Sequence, residues 1–292
     1  MAQIGDPARA FAAELSNADP ERLALAIARI AYPDLEPEEY VAQLDEMASI
    51  AGARVAQASM GERRAVALVE ALRLDLGFRG NTEHYYDVAN SYLNVVLERQ
   101  TGLPILLSLI LMSIGKRLGL AVEGAGYPNH FMARDEDEEG IWILDPFHGA
   151  VMKPDDVPVY FEKIFGHPAV QMEYGDPVPV PATAWALRIL NNLRMVYMNS
   201  GNLVMLAKVL DFMLLVEPGR TDLWQERGVV GYRCGELESA ARALRRYFFL
   251  TGHISIGSLG DISSPAPPLA DRVEQHLWNL LEDIEKALVR WN

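Results

Sequence analysis

The sequence predicts a mainly helical α+β protein in which a short region of strands separates two helical regions. Two observations lead to this fold class. Apolar residues recur at helical spacing over residues 1–76 and again over residues 184–292. Between these ranges, short apolar runs are separated by glycine, asparagine and acidic residues, which is the pattern of an antiparallel sheet. A chain of 292 residues is also longer than an average domain, so more than one domain is expected.

The composition excludes several classes of function. The formal net charge is −14 and the pI is near 4.9, so nucleic acids and anionic membranes are unfavourable partners. The most apolar window, residues 103–114, is too short to span a membrane, and the first residues lack the pattern of a signal peptide. Cys234 is the only cysteine, so an intramolecular disulfide is excluded. We therefore expect a soluble, cytoplasmic protein.

Residues 1–76 are expected to form an N-terminal helical region. In "DPERLALAIARIAYPDL", Asp19 is a candidate N-cap and Pro20 suits the first helical turn. The segments "EPEEYVAQLDEMASIAGARVA" and "ERRAVALVEALRLDLG" continue the helical spacing, and Gly77 is suited to end the last of these helices. We interpret this region as a packing module without chemistry of its own.

Residues 77–173 contain the predicted strands and one buried helix. The run "TGLPILLSLILMSIGKRLGL" is apolar on every face, as in a helix surrounded by protein, with Pro104 near its start and Gly119 at its end. Asn90 is a candidate N-cap for a shorter helix over residues 91–98. The runs "LAVEGAGYP", "NHFMARD" and "GIWILDPF" are extended in pattern. The acidic "DEDEEG" that joins the last two is expected to be a solvated hairpin turn.

The C-terminal part is predicted to be a linker followed by helical repeats. Residues 174–183 are rich in proline and are expected to form the linker. Over residues 184–292 a helical pattern recurs with a period of about 34 residues. Trp224, Gly228 and Ala240 stand where a tetratricopeptide repeat would have similar residues. This pattern predicts two degenerate tetratricopeptide-like repeats and a final helix.

Four segments of the central region together resemble one protein family. They are "GFRGN", "NSYLNVVLERQTGLPILLSL", "RLGLAVEGAGYPNHFMAR" and "ILDPFHGAV", and their order and spacing are similar to those of the SirB-type branch of the transglutaminase-like superfamily. The resemblance implies a helical N-terminal part, a core like that of transglutaminases and papain-like cysteine proteases, and tetratricopeptide-like repeats after it. It also implies a cysteine at the start of the buried helix, a histidine on one strand and an aspartate on the next.

Only two members of this catalytic set are present in the sequence. "HFMAR" supplies His130 and "LDPF" supplies Asp145, on neighbouring predicted strands. "GLP" puts Pro104 at the position where active relatives carry the cysteine of Gly-x-Cys. In the family, the helix N-terminus lowers the thiol pKa, the histidine takes its proton and the aspartate orients the imidazole. Because proline has no nucleophilic atom, the resemblance implies a remnant dyad without thiol chemistry.

No other residue is an obvious substitute for the missing nucleophile. Cys234 lies in a predicted repeat helix and is interpreted as a small core residue. Ser108 is one helical turn beyond Pro104 on the same face, and is deeper by about 6 Å. Ser108 is therefore a candidate binding residue, or alternatively a core hydroxyl bonded to a helix carbonyl.

Further polar residues are candidates for binding. Asn81, Tyr86 and Asn90 belong to the second cluster of the family motif, and they either line the same cleft or cap turns and helices. Arg134, at the end of "HFMAR", is another candidate binding residue.

The role of His130 is left open by the sequence. It is a core histidine held by Asp145, a donor in a binding site, or a general base acting on water. A metal site would recruit these two residues with His148 or His84, but their spacing matches no recognised ligand pattern. We therefore expect neither a metal nor another cofactor.

The predicted function is that of a non-catalytic transglutaminase-like protein, which binds a protein or peptide partner and acts as a regulatory module. One alternative is a hydrolase or acyl transferase that uses His130 and Asp145 with water or a non-cysteine nucleophile. Another is a sensor of small molecules or peptides. These alternatives differ in whether the cleft beside His130 is open or is closed by side chains such as Leu103 and Phe131.

Overall fold

The structure is a computed structural model, and it describes residues 7–127, 130–166, 179–254, 269 and 271–291. The chain forms two compact units, Met1–Ile189 and Leu190–Asn292. The predicted α+β class is confirmed, because helices predominate and the described strands are short. Within the described ranges, none of the helices has both the length and the apolar character that crossing a bilayer requires.

The helices of the first unit follow the expected pattern. Asp19 caps the second of them, since its carboxylate accepts hydrogen bonds from the N–H groups of Glu21 and Arg22. Their bounds are α1 Pro7–Asn17, α2 Pro20–Ala28, α3 Pro37–Val55, α4 Glu62–Glu70, α5 Leu93–Arg99, α6 Pro104–Arg117 and α7 Val157–Phe165. Helix α8, Ala182–Ser200, crosses the division between the two units.

The strands form two sheets. Two short parallel strands, β1 Arg79–Gly80 and β2 Thr101–Gly102, form the smaller one. The larger sheet is an antiparallel meander of β3 Val122–Tyr127, β4 His130–Asp137, β5 Gly140–Asp145 and β6 Ala150–Met152. Because successive strands are neighbours, the start of β4 and the end of β5 lie at the same end of the sheet. The predicted hairpin is confirmed.

Helix α6 lies among the other elements of the first unit, in contact with α2 and α3 and with strands β3 and β4. The prediction of a helix surrounded by protein is confirmed. Its apolar side chains with no exposed surface are Leu106, Leu107, Leu109, Ile110, Leu111 and Ile114. Burying each of them contributes roughly 2 kcal/mol. The first turn of α6 is therefore held firmly in place.

The acidic run "DEDEEG" is less solvated than its sequence suggests. Asp135 has no exposed surface, and the side chain of Asp137 is also buried. Arg64 of α4 forms ion pairs with both carboxylates, since its Nη2 atom lies 2.9 Å from Oδ1 of Asp135 and 3.1 Å from Oδ2 of Asp137. The expectation of a solvated turn is wrong for these two residues, because an arginine distant in sequence pairs with them. Burial raises the pKa of Asp135 in spite of this arginine.

The prediction of Asn90 as a helix N-cap is also wrong. Asn90 lies in a short 3-10 turn, Val88–Ser91, and helix α5 begins only at Leu93. The Asn90 side chain donates instead to two carbonyls of the preceding loop, those of His84 and Tyr85. The Asn90 side chain therefore stabilises the preceding loop and does not cap a helix.

The second unit continues α8 and contains α9 Leu203–Val216, α10 Thr221–Arg233, α11 Leu237–Leu250 and α12 Arg272–Trp291. Helices α10 and α11 approach closely at Gly228, where a Cβ atom would lie 2.6 Å from the Leu244 side chain. A glycine at this repeat position therefore permits the helix pair to pack. Residues 174–178 of the predicted linker lie outside the described residues, and Pro179 bridges to Ala125 of β3.

Candidate functional site

Asp145 is the centre of the candidate site. It ends strand β5 and has no exposed surface. Its Oδ1 atom accepts hydrogen bonds from the backbone N–H groups of Phe147, at 2.9 Å, and His148, at 3.2 Å. The turn after β5 therefore fixes the orientation of the carboxylate.

Three side chains converge on the other carboxylate oxygen of Asp145. Its Oδ2 atom is 2.7 Å from Nε2 of His130, 2.8 Å from Nδ1 of His148 and 2.7 Å from the Tyr160 hydroxyl. His130 begins β4, and Tyr160 lies on α7. The sheet and the following helix therefore bring four polar side chains to one point.

The electrostatics of the cluster favour an ionised Asp145. Burial alone raises the pKa of this carboxyl, but the hydrogen bonds from His130 and His148 outweigh burial and hold the pKa below its usual range. Burial, followed by the charge of Asp145, raises the pKa of Tyr160, so its hydroxyl stays protonated and donates. An ionised carboxylate accepts only, so the nitrogens that face it carry protons. In neutral His130 this arrangement leaves Nδ1 with the lone pair.

His130 is covered rather than exposed in a cleft. Only 4% of its surface is accessible. The rings of Phe147, Phe161 and Phe165 are edge-on to its imidazole, with centroids 6.4, 5.9 and 6.0 Å away. The His148 side chain is 36% exposed and lies beside His130 at 5.5 Å. His148 is therefore the part of the cluster nearest to solvent.

The side chains that cover His130 differ from those suggested by the sequence. Phe131 points to a different neighbour, since its ring packs on Trp185 at 4.2 Å. Leu103 is buried at the position preceding α6. The rings that contact His130 come instead from the turn after β5 and from α7.

Pro104 is the first residue of α6 and is itself buried. Strand β2 ends two residues before it, and Gly102 of β2 pairs with Gly80 of β1. Phe147 packs so closely on Gly80 that a Cβ atom there would lie 2.6 Å from the phenylalanine ring. Since Phe147 also contacts His130, the chain that leads into α6 and the His130–Asp145 pair belong to the same region. This region contains a helix N-terminus but no thiol.

Ser108 is not positioned as a substitute nucleophile. It has no exposed surface, and its hydroxyl donates to the carbonyl of Phe131 at 3.3 Å. This contact ties α6 to β4 next to His130. The acceptor is a strand carbonyl rather than the helix carbonyl considered from the sequence.

The second motif cluster forms a loop beside the site. Asn81 donates to Asn90 at 2.9 Å and accepts from the N–H of His84, so the two asparagines hold the loop together. Tyr85 and Tyr86 project from this loop. Their rings contact each other at 5.4 Å, and the Tyr85 ring is 6.2 Å from Phe147. Successive ring contacts thus connect Tyr86, which is 78% exposed, with Phe147, one of the rings that cover His130.

Arg134 is placed away from this cluster. It lies further along β4, opposite Glu123 of β3, and pairs with Glu136 on its own strand. Its side chain is mostly buried, so it is tied into the sheet.

His130, Asp145 and His148 are also a group that could hold a metal ion. Their candidate ligand atoms lie within 4.8 Å of one another. A metal would have to replace the protons on the two imidazole nitrogens that now face Asp145. His84, the other histidine considered from the sequence, is not part of this group.

Two members of the cluster were not assigned from the sequence as partners of Asp145. Tyr160 gives no signal, because nothing in the pattern of α7 indicates that its hydroxyl meets a carboxylate. His148 follows Asp145 by three residues in "DPFHG", a spacing that a tight turn brings together. That spacing could have identified it.

Alkylation of Cys234 with iodoacetamide should be slow and should leave any transferase or protease activity unchanged. Burial, and then the charge of Glu236, raise the pKa of this thiol, so little of it is thiolate at neutral pH. Cys234 directly follows α10 in the second unit, outside the cluster, and it is half-buried, so its interpretation as a core residue within a repeat helix is wrong. Intact-mass spectrometry would give a labelling rate several-fold below that of a free cysteine. Loss of activity in proportion to labelling, with circular dichroism unchanged, would contradict this prediction.

Family comparisons agree with both regions of the chain. Residues 38–191 match the family described as the transglutaminase-like superfamily, and residues 193–277 match a tetratricopeptide repeat family. These matches confirm the two resemblances seen in the sequence.

Relatives match either the whole chain or short parts of it. A UPF0162 protein of Xylella fastidiosa strain 9a5c is 31% identical over 277 residues, which cover 90% of this chain and 96% of the relative. A UPF0162 protein of Vibrio cholerae is 32% identical over 77 residues, 26% of this chain and 28% of the relative. Human F-box only protein 21 is 42% identical over 59 residues, 20% of this chain and 9% of the relative. No solved structure matches the chain significantly.

Proposed function

Because the chain belongs to the transglutaminase-like superfamily, in the SirB-type branch with the UPF0162 proteins, we propose that it is a non-catalytic member that acts by binding another protein. The family core is retained, with histidine and aspartate in hydrogen-bond contact. The proposed role is regulatory and depends on surfaces around this core.

Pro104 at the first position of α6 is the observation that carries the proposal. Thiol catalysis in this fold needs a side chain at the helix N-terminus that can be deprotonated and attack a carbonyl. Proline has no such atom and also lacks an N–H group to stabilise an anion. The rings over His130 further separate the dyad from solvent. Both features favour a site retained for structure over one that turns over substrate.

The loop that carries Tyr85 and Tyr86, together with Phe165 at the end of α7, supplies the surface on which a partner would bind. Tyr86 is 78% exposed, and Tyr85 and Phe165 are each 39% exposed. Exposed aromatic side chains with fixed orientations are frequent anchors in protein interfaces, because they bury a large area at small entropic cost. The hydrogen bonds of Asn81 and Asn90 fix this loop before binding. Tetratricopeptide repeats, which the chain also carries, generally mediate protein–protein interactions.

A hydrolase that uses water is the second candidate. Asp145 holds His130 in the orientation that leaves Nδ1 free to accept a proton. His148 provides a partly exposed neighbour at the same carboxylate. This candidate requires the rings over His130 to move aside when substrate binds.

Affinity capture with loop variants tests the binding proposal. Purified wild-type protein, Tyr86→Ala and Tyr232→Ala would be used to capture proteins from a native lysate, with quantification by mass spectrometry. Tyr232 is a matched control, since it is an exposed tyrosine in the second unit. We expect a partner that is depleted about tenfold or more by Tyr86→Ala, as for loss of an interface anchor, and retained by Tyr232→Ala.

Two results would contradict the proposal. One is a set of captured proteins that Tyr86→Ala leaves unchanged. The other is turnover of ester or amide substrates by the wild-type protein that Tyr160→Phe or His148→Ala reduces while the fold is preserved. The second result would establish the hydrolase instead.

A further inference from the structure

A groove lies between α11 and α12 in the second unit. Its volume is about 690 Å³. Three arginines of α11 line it: Arg242, Arg245 and Arg246. Phe249 of α11 and Leu288 of α12 supply its apolar surface. The groove therefore combines positive charge with apolar contact area.

Two of the arginines are not engaged with carboxylates. Arg245 forms an ion pair with Glu285 of α12 at 2.6 Å. The other two arginines are Arg242 and Arg246. Both are exposed, and within the described ranges neither forms an ion pair. They are four positions apart on α11, so they lie on the same face of the helix, with Cβ atoms about 6 Å apart. Glu238, one turn before Arg242, is the acidic residue that lines the groove.

The apolar part of the groove is adjacent to these charges. Phe249 is half-buried, and the guanidinium of Arg246 lies 5.3 Å from its ring centroid. Leu288 is also half-buried. Phe249 can therefore pack against an apolar side chain of a bound segment while the guanidinium of Arg246, which lies beside the ring, stays in solvent.

We propose that this groove binds an acidic peptide segment of another protein. Two carboxylates of the segment pair with Arg242 and Arg246, and an apolar side chain packs against Phe249 and Leu288. Guanidinium groups bind carboxylates in a bidentate geometry, which makes arginine well suited to this task. The groove is distinct from the Tyr85–Tyr86 loop, so this proposal can hold or fail independently of the proposed function.

The overall charge of the chain favours a short acidic segment over larger anions. A nucleic acid or an anionic membrane would extend beyond the groove and meet a protein with a formal net charge of −14. A short segment experiences mainly the charges within a Debye length, about 8 Å at physiological ionic strength. Among the residues that line the groove, three arginines face one acidic residue, Glu238.

Selection from a random peptide library tests the proposal. The full chain would be immobilised and panned, with Arg242→Glu and Arg233→Glu in parallel. Arg233 is an exposed arginine of α10 outside the groove, so its reversal changes the net charge equally. We expect the peptides selected by the wild type to be enriched in aspartate and glutamate. By fluorescence anisotropy, Arg242→Glu should weaken their binding about tenfold or more, and Arg233→Glu should change it by less than about twofold.

Two measurements show whether binding depends on ion pairs with the acidic side chains of the peptide. Replacing the acidic residues of a selected peptide with their amides should abolish binding, and raising the salt concentration should weaken it. Peptides that are not acidic, or that bind Arg242→Glu as well as wild type, would overturn the proposal. So would competition by anionic vesicles or RNA at lower concentration than the peptide. Self-association that Arg242→Glu abolishes would show that a second copy occupies the groove instead.

Discussion

Replacement of Asp145 with asparagine should lower the free energy of unfolding of the first unit by about 3 kcal/mol. Asp145 has no exposed surface and accepts hydrogen bonds from His130, His148 and Tyr160 on one oxygen. An asparagine amide cannot accept on both of its terminal atoms, so at least one buried donor loses its partner. Urea denaturation followed by circular dichroism would measure the loss. Hydrogen exchange would locate it to β4, β5 and α7.

Asp155→Asn is the matched control for this substitution. Asp155 is exposed in the turn that precedes α7, so its replacement should change the free energy of unfolding by less than about 0.5 kcal/mol. A hydrogen-bonded imidazole N–H resonance should be visible by proton NMR in the wild type and in Asp155→Asn, and lost in Asp145→Asn. Equal stability of the two variants would mean that the hydrogen bonds to Asp145 do not stabilise the fold.

The same carboxylate makes the stability difference depend on pH. The pKa of Asp145 in the folded protein lies below its unfolded value of about 3.9, so ionised Asp145 stabilises the folded state above that pH. This contribution is lost as the pH falls toward the folded pKa. The difference between wild type and Asp145→Asn should therefore narrow as the pH falls below about 4.

Pro104→Cys should create a thiol with a pKa below the free value of about 8.5. The substitution puts sulfur at the first position of α6, where the helix dipole and unpaired N–H groups favour an anion. The family resemblance implies that this thiol also faces the side of His130 that carries the lone pair. A Cys234→Ser background removes the native thiol. Ultraviolet absorbance of the thiolate, titrated against pH, would measure the pKa.

Ser108→Cys in the same background is the control for Pro104→Cys. This position is one turn further along α6 and has no exposed surface, so burial should keep its thiol protonated and slow to react. A Pro104→Cys thiol that titrates at or above the free value would show that Pro104 does not occupy the nucleophile position of the family.

The helices and strands could be predicted largely from the sequence, because local patterns specify them. The short extended runs "NHFMARD" and "GIWILDPF", joined by an acidic segment, indicated the β4–β5 hairpin, and the all-apolar run after Pro104 indicated a helix buried on every side. The predictions that were wrong concern polar side chains, those of the acidic run and of Asn90, whose actual partners are not indicated by local spacing. Asp135 appeared to belong to a solvated turn because Arg64, which pairs with it, lies on α4, far away in the sequence.

By itself, the sequence determined the class of fold, the order of its elements and the absence of a thiol at Pro104, because each depends on residue types at local spacing. Only the tertiary structure decided what surrounds His130. Tyr160 and His148 converge with it on one oxygen of Asp145, and three phenylalanine rings cover it. These contacts join segments through the pairing of strands and the packing of α7. Hydrogen bonds and ring contacts act over a few ångströms, so they depend on where the chain brings atoms together and leave no periodic pattern in the sequence.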